Sequence, residues 1–282
     1  MANSTLLADL VLDFIAYLRE TKKSDSTIIA YKKDLEQLTE FLARLGKTEA
    51  NSVLAIDLES FLTELAEKKY TPKSVARKLN AIKGFFRWLR QKSLIGSDPA
   101  FSVAHPKYQM PAPRVLSVLE YRALRDAARS DPRTAAIVEI LLQTGMRISE
   151  LAALTLDDIT PRGIKVGDRT LPLHSNLKTT IDNYLKTRGS QNSKHLFITK
   201  TGRPLLIRNI RSTIERCFVE AGVEDATVND IRNTFIVHQL TRGVDLVTLS
   251  KIVGHKRLST TERYLSLIKE PAKGKTNQLE EL

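Results

Sequence analysis

Pro106, Pro111 and Pro113 fall within eight residues, and Asp98-Pro99 stands shortly before them. A proline has no amide hydrogen and drives the residue ahead of it out of the helical region, so neither a helix nor an inner strand can run through this stretch. The segment has few side chains to bury and is held extended. The chain is therefore expected to fold as two pieces, residues 1–105 and 114–282, joined by a linker at 106–113. With 282 residues in all, each piece is long enough to bury a core of its own.

Before the linker every apolar pattern is helical. Leu7, Leu10, Val11, Phe14, Ile15 and Leu18 recur at the spacing of one helix face. A second stripe starts near Thr27 and carries Ile28, Tyr31, Leu35, Leu38, Phe41 and Leu42 as far as Gly46. Asp57 can cap a third helix bearing Leu58, Phe61, Leu62 and Leu65. Thr71-Pro72 places a cap before a proline at the first helical position, where a missing N–H costs nothing. The helix it opens holds Val75, Leu79, Ile82, Phe85, Phe86 and Leu89. A domain of four or five helices follows. From Lys68 to Lys92 the chain gathers nine cations, Lys73, Arg77, Lys83, Arg87 and Arg90 among them, and no acid. Such a run is either a solvated face or a surface for a polyanion, and the mutual repulsion of unopposed cations favours the polyanion.

Beyond the linker, Ser117 and Glu120 have capping-box spacing at the start of a helix reaching Arg129. Residues 133–142 are strongly apolar and predict a central helix, which Gly145 breaks and residues 148–154 resume. Between Asp158 and Leu173 the period shortens. Gly163-Ile164-Lys165-Val166, a Gly167-Asp168 turn and Arg169–Leu173 predict two short strands. Helices are predicted over 177–185, 206–221, 228–241, 246–253 and 260–267. The fold class is thus mainly α with a small β-sheet.

Several chemistries are excluded by what is missing. The single Cys217 rules out a disulfide framework or a cysteine-built metal centre. No stretch approaches a membrane span and the N-terminus does not read as a secretory signal, so a cytoplasmic protein is expected. Acidic residues are scattered, there is no H-E-x-x-H, no P-loop and no G-x-S-x-G elbow. Neither a cofactor nor a metal is expected. The formal charge of +12, from 44 Lys+Arg against 32 Asp+Glu, points to an anionic partner.

What remains is chemistry carried by Arg, His and Tyr. Three segments stand out: Thr144-Gly145-Met146-Arg147-Ile148-Ser149-Glu150-Leu151, Asn229-Asp230-Ile231-Arg232-Asn233-Thr234-Phe235, and Val253-Gly254-His255 with Tyr264 nine residues on. Together they resemble the catalytic domain of the tyrosine recombinases, the family of the Xer proteins, the phage integrases and transposon-encoded resolvases of the same chemistry. The family's T-G-x-R-[IV]-S-E-L is matched in full around Arg147. Its H-x-x-R is matched at Arg232, with Asn229 in the histidine position, and its L-G-H is matched as Val253-Gly254-His255. The helical piece before the linker resembles the family's core-binding domain, so the likeness spans nearly the whole chain.

The resemblance implies a two-domain, C-shaped clamp around duplex DNA, cutting and rejoining it through a 3′-phosphotyrosine without metal or ATP. Tyr264 would be the nucleophile. Arg147 and Arg232 would clamp the phosphate, since a guanidinium gives paired donors and keeps its proton. His255, with a reference pKa of about 6.5, would donate to the phosphate or manage the tyrosine proton. Ser259 and Glu262 can form a capping box opening the tyrosine helix. Ordinary roles compete: surface ion pairs for the arginines, a half-buried aromatic for Tyr264, a structural histidine for His255.

Two departures matter. Asn229 donates a hydrogen bond but cannot take up a proton. The family's longer hairpin turn, with a lysine that protonates the leaving 5′-oxygen, shrinks here to Val166-Gly167-Asp168-Arg169. Lys165 is the nearest candidate for that acid, although strand alternation can turn it away, and Arg169 is too weak an acid. Implied partners are double-stranded DNA with specific recombination sites, a homotetramer in the synaptic complex built from monomers or weak dimers, and accessory proteins. The tail 277–282 either packs on a neighbouring subunit or frays. The rival readings are a catalytically silent DNA-binding protein on the same scaffold and an enzyme that relaxes a single duplex.

Overall fold

The computed structural model describes residues 5–107, 111–189, 192–268, 279 and 282. The chain divides into two compact units, Met1–Met110 and Pro111–Leu282.

The first unit contains α1 (Leu7–Glu20), α2 (Asp25–Arg44), α3 (Ala55–Glu67) and α4 (Pro72–Gln91), with a 3-10 turn at Ala50–Ser52. Ser24 caps α2 by accepting from the Thr27 amide, and Thr71 caps α4 by accepting from the Ser74 amide. Asp57 does not cap α3. It sits in the first turn, where Oδ2 accepts from the Leu54 amide at 2.7 Å and from Lys47 Nζ at 2.5 Å. The apolar stripes converge on Phe14, Phe61, Phe85, Phe86, Leu35 and Leu38, all buried, with Phe14 and Phe85 edge to face at 5.5 Å.

In the second unit α5 (Val118–Ala128) opens with the reciprocal Ser117–Glu120 box, and α6 (Pro132–Thr144) follows, capped by Asp131. α6 is buried from Ala136 through Thr144 except at Glu139, so it is the axis of this unit. Gly145 ends it at φ +58°, where a side chain would also overlap the Phe235 ring. α7 (Ile148–Ala153) then restarts the chain in a new direction. The sheet has three strands, one more than predicted: β1 (Ile159–Thr160), β2 (Gly163–Val166) and β3 (Arg169–Leu171), antiparallel in that order. β1 was hidden because two residues cannot display a period. Ile164 pairs with both Ile159 and Leu171.

The remaining elements are α8 (Ser175–Arg188), α9 (Ile207–Glu220), α10 (Val228–Thr241), α11 (Leu246–Val253) and α12 (Ser259–Glu262). The predicted helix over 260–267 is broken. α12 is a single turn, a separate 3-10 turn follows at Leu265–Leu267, and Tyr264 lies between them. Ser259 and Glu262 form no capping box, since the helix starts from Leu258 without a side-chain cap. Among the described residues, no helix is long and apolar enough to cross a membrane. Of the tail, Leu279 and Leu282 pack on the core of their own unit and the Leu282 oxygen accepts from Arg125 at 2.5 Å; the rest of 277–282 lies outside the described residues.

Candidate active site

Two turns and the end of one helix assemble the site. α11 stops at Gly254, whose φ of +69° is the left-handed region that favours glycine. The carbonyls at a helix C-terminus lack intrahelical donors and carry the negative end of its dipole. Here three successive ones each receive a guanidinium. Arg169 from β3 donates to Ile252 O at 2.8 Å, Arg232 from α10 to Val253 O at 2.7 Å, and Arg147 from the start of α7 to Gly254 O at 2.6 Å. A Cβ on Gly254 would overlap the Arg169 guanidinium and crowd that of Arg147.

Glu150 lies among these cations. Its Oε2 accepts from the Arg147 amide at 2.7 Å, and its Oε1 from Arg147 Nη1 at 3.0 Å and Arg169 Nη2 at 2.5 Å. Arg232 Nη1 reaches back to Gly145 O at 2.5 Å, which ties the left-handed turn to α10. Burial, then the like charge of Arg147, pulls the Arg232 pKa down to about 10, so it stays cationic at neutral pH. Arg147 is more open than Arg169, its side chain 42% exposed against 17%.

His255 and Tyr264 border the cluster. The His255 ring lies parallel to that of Tyr264 with centroids 6.3 Å apart, and Nδ1 shares a hydrogen bond of 2.8 Å with the Thr261 hydroxyl. Burial, followed by repulsion from Arg232, Arg147 and Arg169, lowers its pKa to about 4. It is therefore neutral at pH 7 and does not titrate near 6.5 as the sequence suggests. The Tyr264 hydroxyl donates to Asn233 Oδ1 at 2.9 Å. Its pKa is raised by burial, against the opposing pull of Arg232 and Arg263.

Of the residues singled out in the sequence, Arg147, Arg232, His255 and Tyr264 thus come together. Asn229 is exposed on the first turn of α10, and the contact to the phenol comes from Asn233, one turn further on. Lys165 is exposed on the face of β2 opposite Ile164, and of the hairpin cations it is Arg169 that enters the cluster. Sequence reasoning missed roles for Glu150, Thr261 and Asn233. Glu150 was accessible, standing three residues after Arg147 as a cap partner does, whereas the other two meet their partners only through the fold. Among the described residues no group of three or more His, Cys, Asp or Glu could hold a metal ion.

On α4 the cations differ in status. Lys73, Arg87 and Arg90 are exposed, and Lys83 is half-buried with Nζ at 3.4 Å from Phe101 O. Arg77 is ion-paired with the buried Asp34 of α2, which Lys78, itself buried, approaches at 2.9 Å. Lys68 pairs with Glu64. The run is not wholly unopposed, as its acid-free sequence implies: acids from α2 and α3 neutralise part of it.

A helical unit with a basic helix, and a second unit with guanidinium groups, an imidazole and a phenol gathered at one helix end, have the make-up that the resemblance to the DNA breakage-and-rejoining proteins implies. Residues 114–270 match the Phage integrase family and residues 11–93 the Phage integrase, N-terminal SAM-like domain. The chain belongs to that family, the tyrosine recombinases, whose members cut and rejoin DNA at specific sites through a tyrosine–phosphodiester intermediate. The tyrosine recombinase XerC of Roseiflexus castenholzii is 31% identical over 274 residues, covering 90% of this chain and 87% of that one. That of Listeria innocua is 30% identical over 280 residues, covering 92% and 93%. Among solved structures, the Tn1549 transposon integrase in complex with circular intermediate DNA is similar in fold, with a TM-score of 0.77 at 20% identity over 93% of this chain and 95% of that one. A lambda integrase tetramer bound to a Holliday junction gives 0.74 at 15% identity over 97% and 80%.

Proposed function

We propose that this chain is a site-specific DNA recombinase that cleaves and rejoins duplex DNA through a 3′-phosphotyrosine made by Tyr264. The observation that carries this reading is the convergence of Arg147, Arg169 and Arg232 on the carbonyls of residues 252–254, with His255 and Tyr264 at its border. A phosphodiester under in-line attack gathers negative charge on its non-bridging oxygens. Arg147 and Arg232 supply charge-assisted donors already fixed in place, which is where preorganised electrostatics lowers a barrier. Arg169, held by Glu150 and Ile252 O, positions the other two. Neutral His255 donates a hydrogen bond to the phosphate.

In the reaction the Tyr264 oxygen bonds to phosphorus and the bond to the 5′-oxygen breaks, so the ester energy is kept in the protein–DNA link and the reverse step rejoins strands without ATP. Lys165 is the candidate acid for the 5′-oxygen. It stands outside the cluster, so bound DNA must draw it in. Lys73, Lys83, Arg87 and Arg90 contact DNA phosphates, with Arg77 contributing through its exposed portion. Four copies act on two duplexes, assembled from monomers or weak dimers, as the tetrameric lambda integrase complex suggests by analogy.

The test uses a nicked duplex carrying a site that the protein enriches from a random DNA pool. A covalent adduct on a denaturing gel, formed in EDTA and lost in Tyr264→Phe, is expected. Arg147→Ala and Arg232→Ala are each expected to slow adduct formation by about 10²–10³-fold. An adduct that persists in Tyr264→Phe would overturn the assignment.

A further inference from the structure

Asn233 is half-buried beside Arg232, and every polar atom of its side chain is engaged. Nδ2 donates to Arg114 O at 3.0 Å and to Asp230 Oδ1 at 3.2 Å, while Oδ1 accepts from the Tyr264 hydroxyl at 2.9 Å. These partners fix which way the amide points. Rotating it by half a turn would set its oxygen against two acceptor oxygens, a carbonyl and a carboxylate, and lose both donors.

An amide oxygen in that position can only accept. It holds the phenol while the phenol keeps its proton, and it faces a phenolate lone pair to lone pair. Attack on phosphorus needs the opposite: the oxygen–phosphorus bond forms, the bond to the 5′-oxygen breaks, the phenol gives its proton to water, and the 5′-oxygen takes one from the acid, which water then reprotonates. We infer that Asn233 is a lock on the nucleophile, an amide held by Arg114 O and Asp230 in the orientation that keeps Tyr264 protonated, and that cleavage requires this amide to turn or withdraw.

The inference rests on the recombinase reading of Tyr264 and adds to it the resting state of the nucleophile. The other charged and titratable groups around the phenol do not do the same work. Arg232 on α10 and Arg263 beside it favour the phenolate, Asp230 on α10 opposes it, and His255 at the end of α11 is neutral. Burial adds to the amide in holding the proton. The release point is equally specific. Arg114 is at the entrance of the chain into the second unit, and its carbonyl is one of the two acceptors that keep the amide from turning. A shift of that segment removes the shorter of the two Nδ2 hydrogen bonds and leaves the 3.2 Å one to Asp230 to give way, and a turned amide then offers Tyr264 an N–H that stabilises the phenolate.

The decisive experiment titrates Tyr264 in the DNA-free protein, with ζ-13C-tyrosine and the Tyr264→Phe spectrum for assignment. In the unaltered protein the midpoint is expected above 10.0, the ordinary value for a tyrosine. In Asn233→Ala it is expected to fall by about one pH unit, which is about tenfold more phenolate at neutral pH. In Asn233→Asp it is expected to rise. Adduct formation on the nicked duplex should rank in the same order at pH 7, Asn233→Ala fastest and Asn233→Asp slowest, with the three rates converging as pH rises. A midpoint at or below 10.0 in the unaltered protein, or an Asn233→Ala variant that cleaves more slowly with an unchanged pH profile, would overturn the lock and make Asn233 an aiming residue. The titration needs no activity, and its first reading needs no variant at Asn233. Absence of any adduct from the unaltered protein sinks the recombinase reading itself, and the lock with it.

Discussion

At the residue scale the site is governed first by burial and then by the positive charge packed around each side chain, and His255 shows the consequence. Its folded pKa of about 4 lies below the ordinary 6.5. Between those values the unfolded chain holds more protons than the folded one, so stability is full above the upper limit and is lost as pH falls through the window. The unaltered protein is therefore expected to lose more melting temperature between pH 7 and pH 5 than His255→Gln, measured by calorimetry at fixed ionic strength. Equal losses would refute the depressed value. The same neutrality bears on chemistry: from pH 6 to pH 8 the cleavage rate should show no inflection from this imidazole. The reading from sequence, a titrating histidine, failed because the burial that lowers its pKa, and after it the charges of Arg232, Arg147 and Arg169, are set by the fold and by distant parts of the chain.

At the scale of elements the C-terminus of α11 does what neither α7 nor α10 does alone, since its last carbonyls hold three side chains from three elements. Gly254→Ala places a side chain in a left-handed backbone and against Arg169, and is expected to cost about 1–3 kcal/mol in urea unfolding and to slow adduct formation. The buried ion group of α2 and α4 makes a sharper case. Asp34 is 1% exposed and Lys78 4%. Asp34→Ala leaves a buried ammonium unpaired, at an expected cost of about 3–5 kcal/mol, whereas Asp34→Ala with Lys78→Met should recover most of it. Much of this level is legible in the chain. Caps at Thr71 and Ser117, the stop at Gly145 and the apolar stripes rest on local chemistry, which a sequence displays. The two-residue β1, the single turn of α12 and the pairing of Asp34 with Arg77 are set by contacts across the fold, and no local period records them.

For the whole molecule the question is what the basic first unit and the arginine site accomplish on the same DNA. If Lys73, Arg87 and Arg90 bind phosphates as proposed, they release counterions, and replacing all three by alanine should lower the slope of log affinity against log salt by about 0.9 for each phosphate left unneutralised, so about 2.7 in all. Arg77, half-neutralised by Asp34, should change the slope less. Binding alone does not separate recombination from relaxation of a single duplex, because both use a phosphotyrosine and neither needs ATP. They part on the number of duplexes. If four copies must exchange strands between two sites, then recombinant product rises with the square of site concentration at low occupancy, and a plasmid with one site gives adduct but no product in isolation. A relaxing enzyme would untwist that one-site plasmid as readily as a two-site one. The expected outcome is product only where two sites are present, with Tyr264→Phe inert on both plasmids. Full relaxation of the one-site plasmid would assign the same arginines and the same phenol to a different reaction.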